Sequence, residues 1–365
     1  MRTLLIEIGQ LFRREKIYSL LLIFIILFYV FSLFAHKVVK KEISEALPQE
    51  TIQNLEDQWR NLSEDPEGVQ KQLKEHPPLF WAVQFISFFF IGAFTSGIWF
   101  GALDLRRLFL RQELIPSSGQ ILLVSWGMTE VVKLILLFLS AGIVMNLGLV
   151  LMKLLFGIKF NTSLLILVQT LALDIAVVFF IAGLIRRNGS RLNDLLGFRF
   201  SKIPFREIWI GIRTYFVILP VFVGVLLLLV FIASLFSYEP PPHPLVKLLL
   251  KEETVSPWMM TYSLLAACVI GPIVEEIFFR GFLYPALRKY WGMAWTMLVT
   301  SGLFAWIHEN AFSFVPIFFL GLTLSYLYEK RNNLLPCISL HVLHNTAFIG
   351  YFFLMKSIVS TMGGG

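Results

Sequence analysis

Nine apolar blocks punctuate the chain, at roughly 17–35, 79–102, 127–152, 163–185, 208–236, 258–283, 292–308, 312–328 and 334–356. Most match the run of about 17–25 apolar residues that carries a helix across a bilayer. They lack the apolar/polar alternation of a barrel strand, and in hydrocarbon an isolated segment satisfies its backbone only as a helix. The pattern predicts an all-α, polytopic membrane protein with eight to nine transmembrane helices. The third helix starts at 127 or, alternatively, near Ile121 and then lies tilted.

Composition agrees with that reading. The 365 residues are 57% hydrophobic, include 36 Phe and are only 15% charged, against about 25% charged residues in a soluble domain. The net charge of +7 comes from basic residues between the apolar blocks rather than from nucleic-acid-like clusters. No nucleic-acid partner is expected; the bilayer is. Arg13, Arg14 and Lys16 precede the first block, whose length and Leu33-Phe34 end fit a retained helix better than a cleaved signal. Lys and Arg are richer in the segments that face inward if the N-terminus is inside, so a plasma-membrane protein with its N-terminus inside is expected. Cys268 and Cys337 both fall within apolar blocks and suggest neither a disulfide framework nor a cysteine zinc site.

Two regions are expected: an N-terminal membrane region, 1–190, with four spans and an outer loop at 36–78, and a C-terminal core at 205–355. In the loop, Ile52, Leu55, Trp59 and Leu62 repeat at helical spacing, which predicts an amphipathic helix. The stretch 239–244, Glu-Pro-Pro-Pro-His-Pro, should break the chain after the fifth span.

The core holds ionisable residues where they are costly, about 2.5–3.5 kcal/mol each for Asp, Lys or Arg on insertion scales. The sixth block contains Glu275, Glu276 and Arg280, the seventh ends at Phe304-Ala-Trp-Ile-His308, and the ninth contains His341, His344 and Asn345. Glu276 and Arg280 share a helix face, as do Phe304 and His308, and His341 and Asn345; Glu275 points about 100° away from Glu276. With a turn near Trp291, Glu276 and His308 fall about 23–25 Å along neighbouring antiparallel helices. His341 and Asn345 enter from the same membrane side. A carboxylate and an imidazole at one depth are suited to activating water, and His and Asn donors to stabilising an oxyanion. Alternatively Glu275, His308 and His341 are candidate ligands for a zinc ion that acidifies the water.

The trio Glu275-Glu276-x-x-x-Arg280, Phe304-x-x-x-His308 and His341-x-x-x-Asn345 resembles the CPBP family, the type II CAAX prenyl endopeptidases and the bacteriocin-processing, Abi-type proteins. The resemblance covers about 205–355, with Leu196-Gly197-Phe198 similar to the usual lead-in. It implies an intramembrane endopeptidase acting on a membrane-associated or lipidated protein. Glu275 would then be the principal base with His308, Glu276 and Arg280 would organise the site, with Glu276 alternatively sharing the base or ligand role, and His341 and Asn345 would be the oxyanion or ligand pair. Both a metalloprotease and a metal-free, glutamate-activated mechanism are compatible with the family pattern.

Other readings weigh against it. The polar residues would cross-link helices in a catalytically silent binding or immunity protein of the same fold. A transporter would also place charges at mid-membrane, but no inverted repeat accompanies these. His344 is expected to pack behind the site. Asp174 is expected to be an interior residue, and Glu130 to pair with Lys133 near a helix start.

Overall fold

The structure, a computed structural model, describes residues 2–39, 66–118, 124–158, 162–199, 203–236, 238, 257–308 and 310–362. Every regular element among them is a helix. In chain order these are α1 (Arg2–Arg14), α2 (Lys16–Val39), α3 (Pro66–Glu75), α4 (Pro77–Phe109), α5 (Met128–Phe156) and α6 (Thr162–Arg187). There follow α7 (Leu192–Leu196), α8 (Phe205–Leu235), the composite α9 (257–288), α10 (Met293–Trp306), α11 (Ala311–Arg331) and α12 (Leu335–Met362). Eight of the described helices are long and apolar enough to cross a membrane. The ninth apolar helix, α10, has 14 residues. At about 21 Å it falls short of a hydrocarbon layer of about 30 Å. The all-α polytopic expectation holds. The amphipathic segment around Ile52–Leu62 and the proline-rich stretch 239–244 lie outside the described residues.

The helices form two compact units, each discontinuous in sequence. The first comprises Met1–Lys40, Ile115–Ile212 and Pro257–Val342. Leu11, Tyr18 and Ile25 from α1 and α2 pack with Leu136 and Ile143 of α5 in one of its apolar clusters. Its connectors check the nine-span alternation, which puts the N-terminus and the α4–α5, α6–α8, α9–α10 and α11–α12 links on one membrane face. Glu7 of α1 accepts a hydrogen bond from Tyr290 in the α9–α10 turn. The Ser118 amide donates to the Lys330 carbonyl, Ser125 bonds Ser190 at 2.6 Å, and the Leu334 amide donates to the Leu196 carbonyl at 3.0 Å. Each pair joins links assigned to the same face.

One cluster fixes the α11–α12 turn. Arg331 forms a two-pronged ion pair with Glu207, and Asn333 donates to the Gly197 carbonyl at 3.0 Å. Gly197 has φ +74°, and a Cβ there would stand 2.1 Å from the Asn332 carbonyl oxygen. Only glycine satisfies both demands.

The second unit comprises Lys41–Leu114, Arg213–Ser256 and Leu343–Gly365. Here α4 and α8 cross closely, and a Cβ on Gly97 would meet the Phe216 carbonyl oxygen at 2.0 Å. Asp104 and Arg213 pair at 2.6 Å beside the Phe100 ring. Helix α4 continues to Phe109, past the predicted end, and the Asp104 carboxylate in that extension is paired rather than stranded. Leu73 packs with Leu354 and Ile358 of α12. His344 lies against the rings of Tyr215 and Phe222, at 6.0 and 5.2 Å, as the packing role expected of it requires.

Candidate active site

The site residues of the first unit hang on α9, whose local geometry follows from two prolines. Pro272 and Pro285 lack an amide hydrogen, and their rings crowd the carbonyl four residues earlier. In α9 the chain widens to π-helical turns at Ala266–Ile270 and Ile277–Leu283, each ending two residues before a proline. Glu275 and Glu276 lie in the regular turn between them, Gly271–Glu276. Such widened turns recur at functional sites because they redirect side chains. Trp126, wholly buried, donates its indole N–H to the Phe282 carbonyl at 3.0 Å and stacks on the Phe282 ring.

Glu276 and Arg280 are both 0% exposed and pair at 3.0 Å. A second Arg280 nitrogen donates to the Gly321 carbonyl of α11 at 3.2 Å. The guanidinium lies 4.5 Å from the centre of the Phe304 ring. Gly321 permits this approach, since a Cβ there would press on Ser301 at 3.0 Å and on Phe304 at 3.3 Å. His341, 2% exposed, places Nδ1 2.9 Å from the same Glu276 oxygen that Arg280 holds. Its Nε2 faces Glu275 at 3.8 Å, beyond hydrogen-bond length.

Glu275 differs from its neighbour. Its side chain is 32% exposed, yet Oε2 is shielded and has no hydrogen-bond partner in the protein. The other Glu276 oxygen and the Arg280 Nε are likewise without protein partners. His308 closes α10, with Nδ1 2.7 Å from the Phe304 carbonyl oxygen. A carbonyl only accepts, so Nδ1 carries a proton and donates it there, which leaves Nε2 as the ring nitrogen open to other partners. Because α10 is short, this imidazole stops inside the hydrocarbon depth rather than at the far surface. Phe304 is the hub, with its ring 5.0 Å from that of His308, 5.6 Å from His341 and 5.2 Å from Phe279.

Glu275, Glu276, Arg280 and His341 therefore form one network, and His308 joins it through Phe304. Asn345 follows His341 by one turn of α12 and belongs to the second unit. Depth matches from unequal starts. Glu276 lies about 18 Å from the end of α9, and His341 only about 9 Å from the start of α12. The buried α11–α12 turn thus sits deeper than the α9–α10 turn.

Asp174 of α6 is half-buried. Glu130 and Lys133 pair at 4.0 Å, but Glu15 lies nearer to Lys133, at 2.5 Å. Sequence reasoning missed Trp126 and Gly321. Neither stands at a motif spacing, and their partners, Phe282 and Arg280, are remote in sequence. Among the described residues no three His, Cys, Asp or Glu side chains converge on a point where one metal ion would sit. In this arrangement Glu275, His308 and His341 do not make a fitted ligand set.

Two adjacent acids, an arginine and two imidazoles thus gather among apolar helices. Residues 257–347, which hold every motif just described, match the family model for the type II CAAX prenyl endopeptidase Rce1-like proteins. The chain is also similar to UPF0177 protein YaiF of Lactococcus lactis subsp. lactis (strain IL1403), 26% identical over 108 residues, covering 28% of this chain and 47% of that one. The chain thus spans about half the length of that curated relative. No solved structure matches it.

Proposed function

We propose that the C-terminal core is an intramembrane endopeptidase hydrolysing a peptide bond of a membrane-associated or lipidated protein, with Glu275 and His308 activating water. The observation that carries this reading is the contrast between the two adjacent acids. Glu276 is wholly buried with one oxygen held by both Arg280 and His341, whereas Glu275 is 32% exposed and its nearest ionisable partner, His341 Nε2, stands at 3.8 Å, beyond hydrogen-bond length.

The steps follow from the chemistry of these groups. The Glu275 carboxylate takes a proton from water, with the free Nε2 of His308 as a second acceptor that orients it. The water oxygen attacks the scissile carbonyl carbon, and the C=O electron pair moves to oxygen. His341 donates Nδ1–H to Glu276 and, when Nε2 also carries a proton, donates it to that oxyanion; the family resemblance gives Asn345 the companion donor role. Collapse of the tetrahedral species breaks the C–N bond, and the proton held by Glu275 passes to the leaving amine. Arg280 holds Glu276 in place without touching the substrate. The balance closes with no metal.

The protein is set in the plasma membrane with its N-terminus inside, so that the face bearing the α9–α10 turn is cytoplasmic. The test is a reconstituted protein presented with a farnesylated reporter peptide ending in a CAAX sequence and with a membrane-protein digest. Products are identified by mass spectrometry for wild type and Glu275→Gln. New termini made by wild type and absent from the variant support the proposal. Binding of peptides with no new terminus in either favours a silent binding protein of the same fold.

A further inference from the structure

The elbow between α1 and α2 is not used by the chemistry above. Glu15 separates the two helices, and Ser19 donates to the Phe12 carbonyl across the bend at 2.8 Å. One side of α1 is held: Leu11 is buried in the apolar cluster, Glu7 bonds Tyr290, and Glu15 pairs with Lys133. The other side is open. Arg13, Arg14 and Lys16 are exposed at the elbow, and on α1 the apolar Leu5 and Ile6 are 64% and 52% exposed, while Phe12 packs against the cluster. Exposed Ile17 and Leu20 continue the apolar surface onto α2, which enters the bilayer there. Three cations next to an apolar flank at the mouth of a spanning helix match the chemistry of a lipid surface, anionic outside and hydrocarbon within. An acidic soluble partner would complement the charges and leave Leu5 unexplained.

We infer that the α1–α2 elbow is a binding surface for anionic phospholipid headgroups, with Leu5 resting in the acyl boundary. Lipid seated there braces α1, which through Glu7 holds the α9–α10 turn. The inference is independent of any catalytic role.

The experiment uses the full chain in phosphatidylcholine vesicles containing phosphatidylglycerol. Selectivity is read from spin-labelled phosphatidylglycerol against spin-labelled phosphatidylcholine at the protein boundary. The Arg13→Gln/Arg14→Gln/Lys16→Gln variant should lose phosphatidylglycerol selectivity about fivefold or more. Arg186→Gln/Arg187→Gln, which removes exposed charge at another helix end, should leave most of it. A nitroxide at Leu5→Cys should be accessible to oxygen and shielded from an aqueous nickel chelate, and one at Gln10→Cys, about 140° round the helix, should show the reverse. Unchanged selectivity in the elbow variant overturns the inference. So does an equal loss in the Arg186/Arg187 variant, or a Leu5 label as water-accessible as Gln10.

Discussion

Arg280 carries a full charge at zero exposure, held by the Glu276 carboxylate, the Gly321 carbonyl and the face of Phe304. Removing one member of such a set strands the others, at a typical cost of about 3–5 kcal/mol. Arg280→Ala should therefore lower the thermal midpoint in detergent sharply, while Glu275→Gln, at a half-open side chain, should leave it nearly unchanged. A variant pair with equal midpoints would contradict the division of labour between the two acids. Gly321→Ala tests the same spot from α11. Its methyl group would press on Ser301 and Phe304, so a loss of about 1–3 kcal/mol of stability is expected from overpacking. Much of this was legible in sequence, since Glu276–Arg280 and Phe304–His308 follow from helical spacing alone. Which acid is buried was not, because that depends on His341 arriving from another helix.

At the scale of elements, the two widened turns of α9 are what the helix pattern hides. Pro272 and Pro285 were their signal, but a proline alone does not say whether a helix kinks, ends or widens. Helix α1 was equally hidden, its short amphipathic run being overshadowed by the basic residues that precede α2. The α1 contact also has a pH signature. Burial first, and then the hydrogen bond to Glu7, push the Tyr290 hydroxyl up to about 12, from about 10 in an unfolded chain. A group whose pKa is raised on folding lends stability below its unfolded value and loses it as pH climbs through the folded one. The α1–turn link should hold to about pH 10 and weaken progressively toward 12. Hydrogen exchange of 2–14 should rise over that window in wild type and show no such pH step in Tyr290→Phe.

At the largest scale, the links of the first unit bond one another through Glu7–Tyr290, Ser125–Ser190 and Leu334–Leu196, as a nine-span order with these links on one face requires. Cysteines at exposed Arg187 and Gly292 should label from the same side of a sealed vesicle, and one at Ile158 from the other. Split labelling of the first two would break the nine-span order. The apolar blocks made that order readable, whereas the division into two discontinuous units comes from tertiary packing that no block pattern records. The central claim is hydrolysis by water held at Glu275. Its most direct measurement is single-turnover cleavage of a processed peptide in oxygen-18 water by reconstituted wild type and Glu275→Gln. The account predicts one heavy oxygen in the new carboxyl group and a rate at least about 100-fold lower in the variant. Cleavage by Glu275→Gln at the wild-type rate would contradict it.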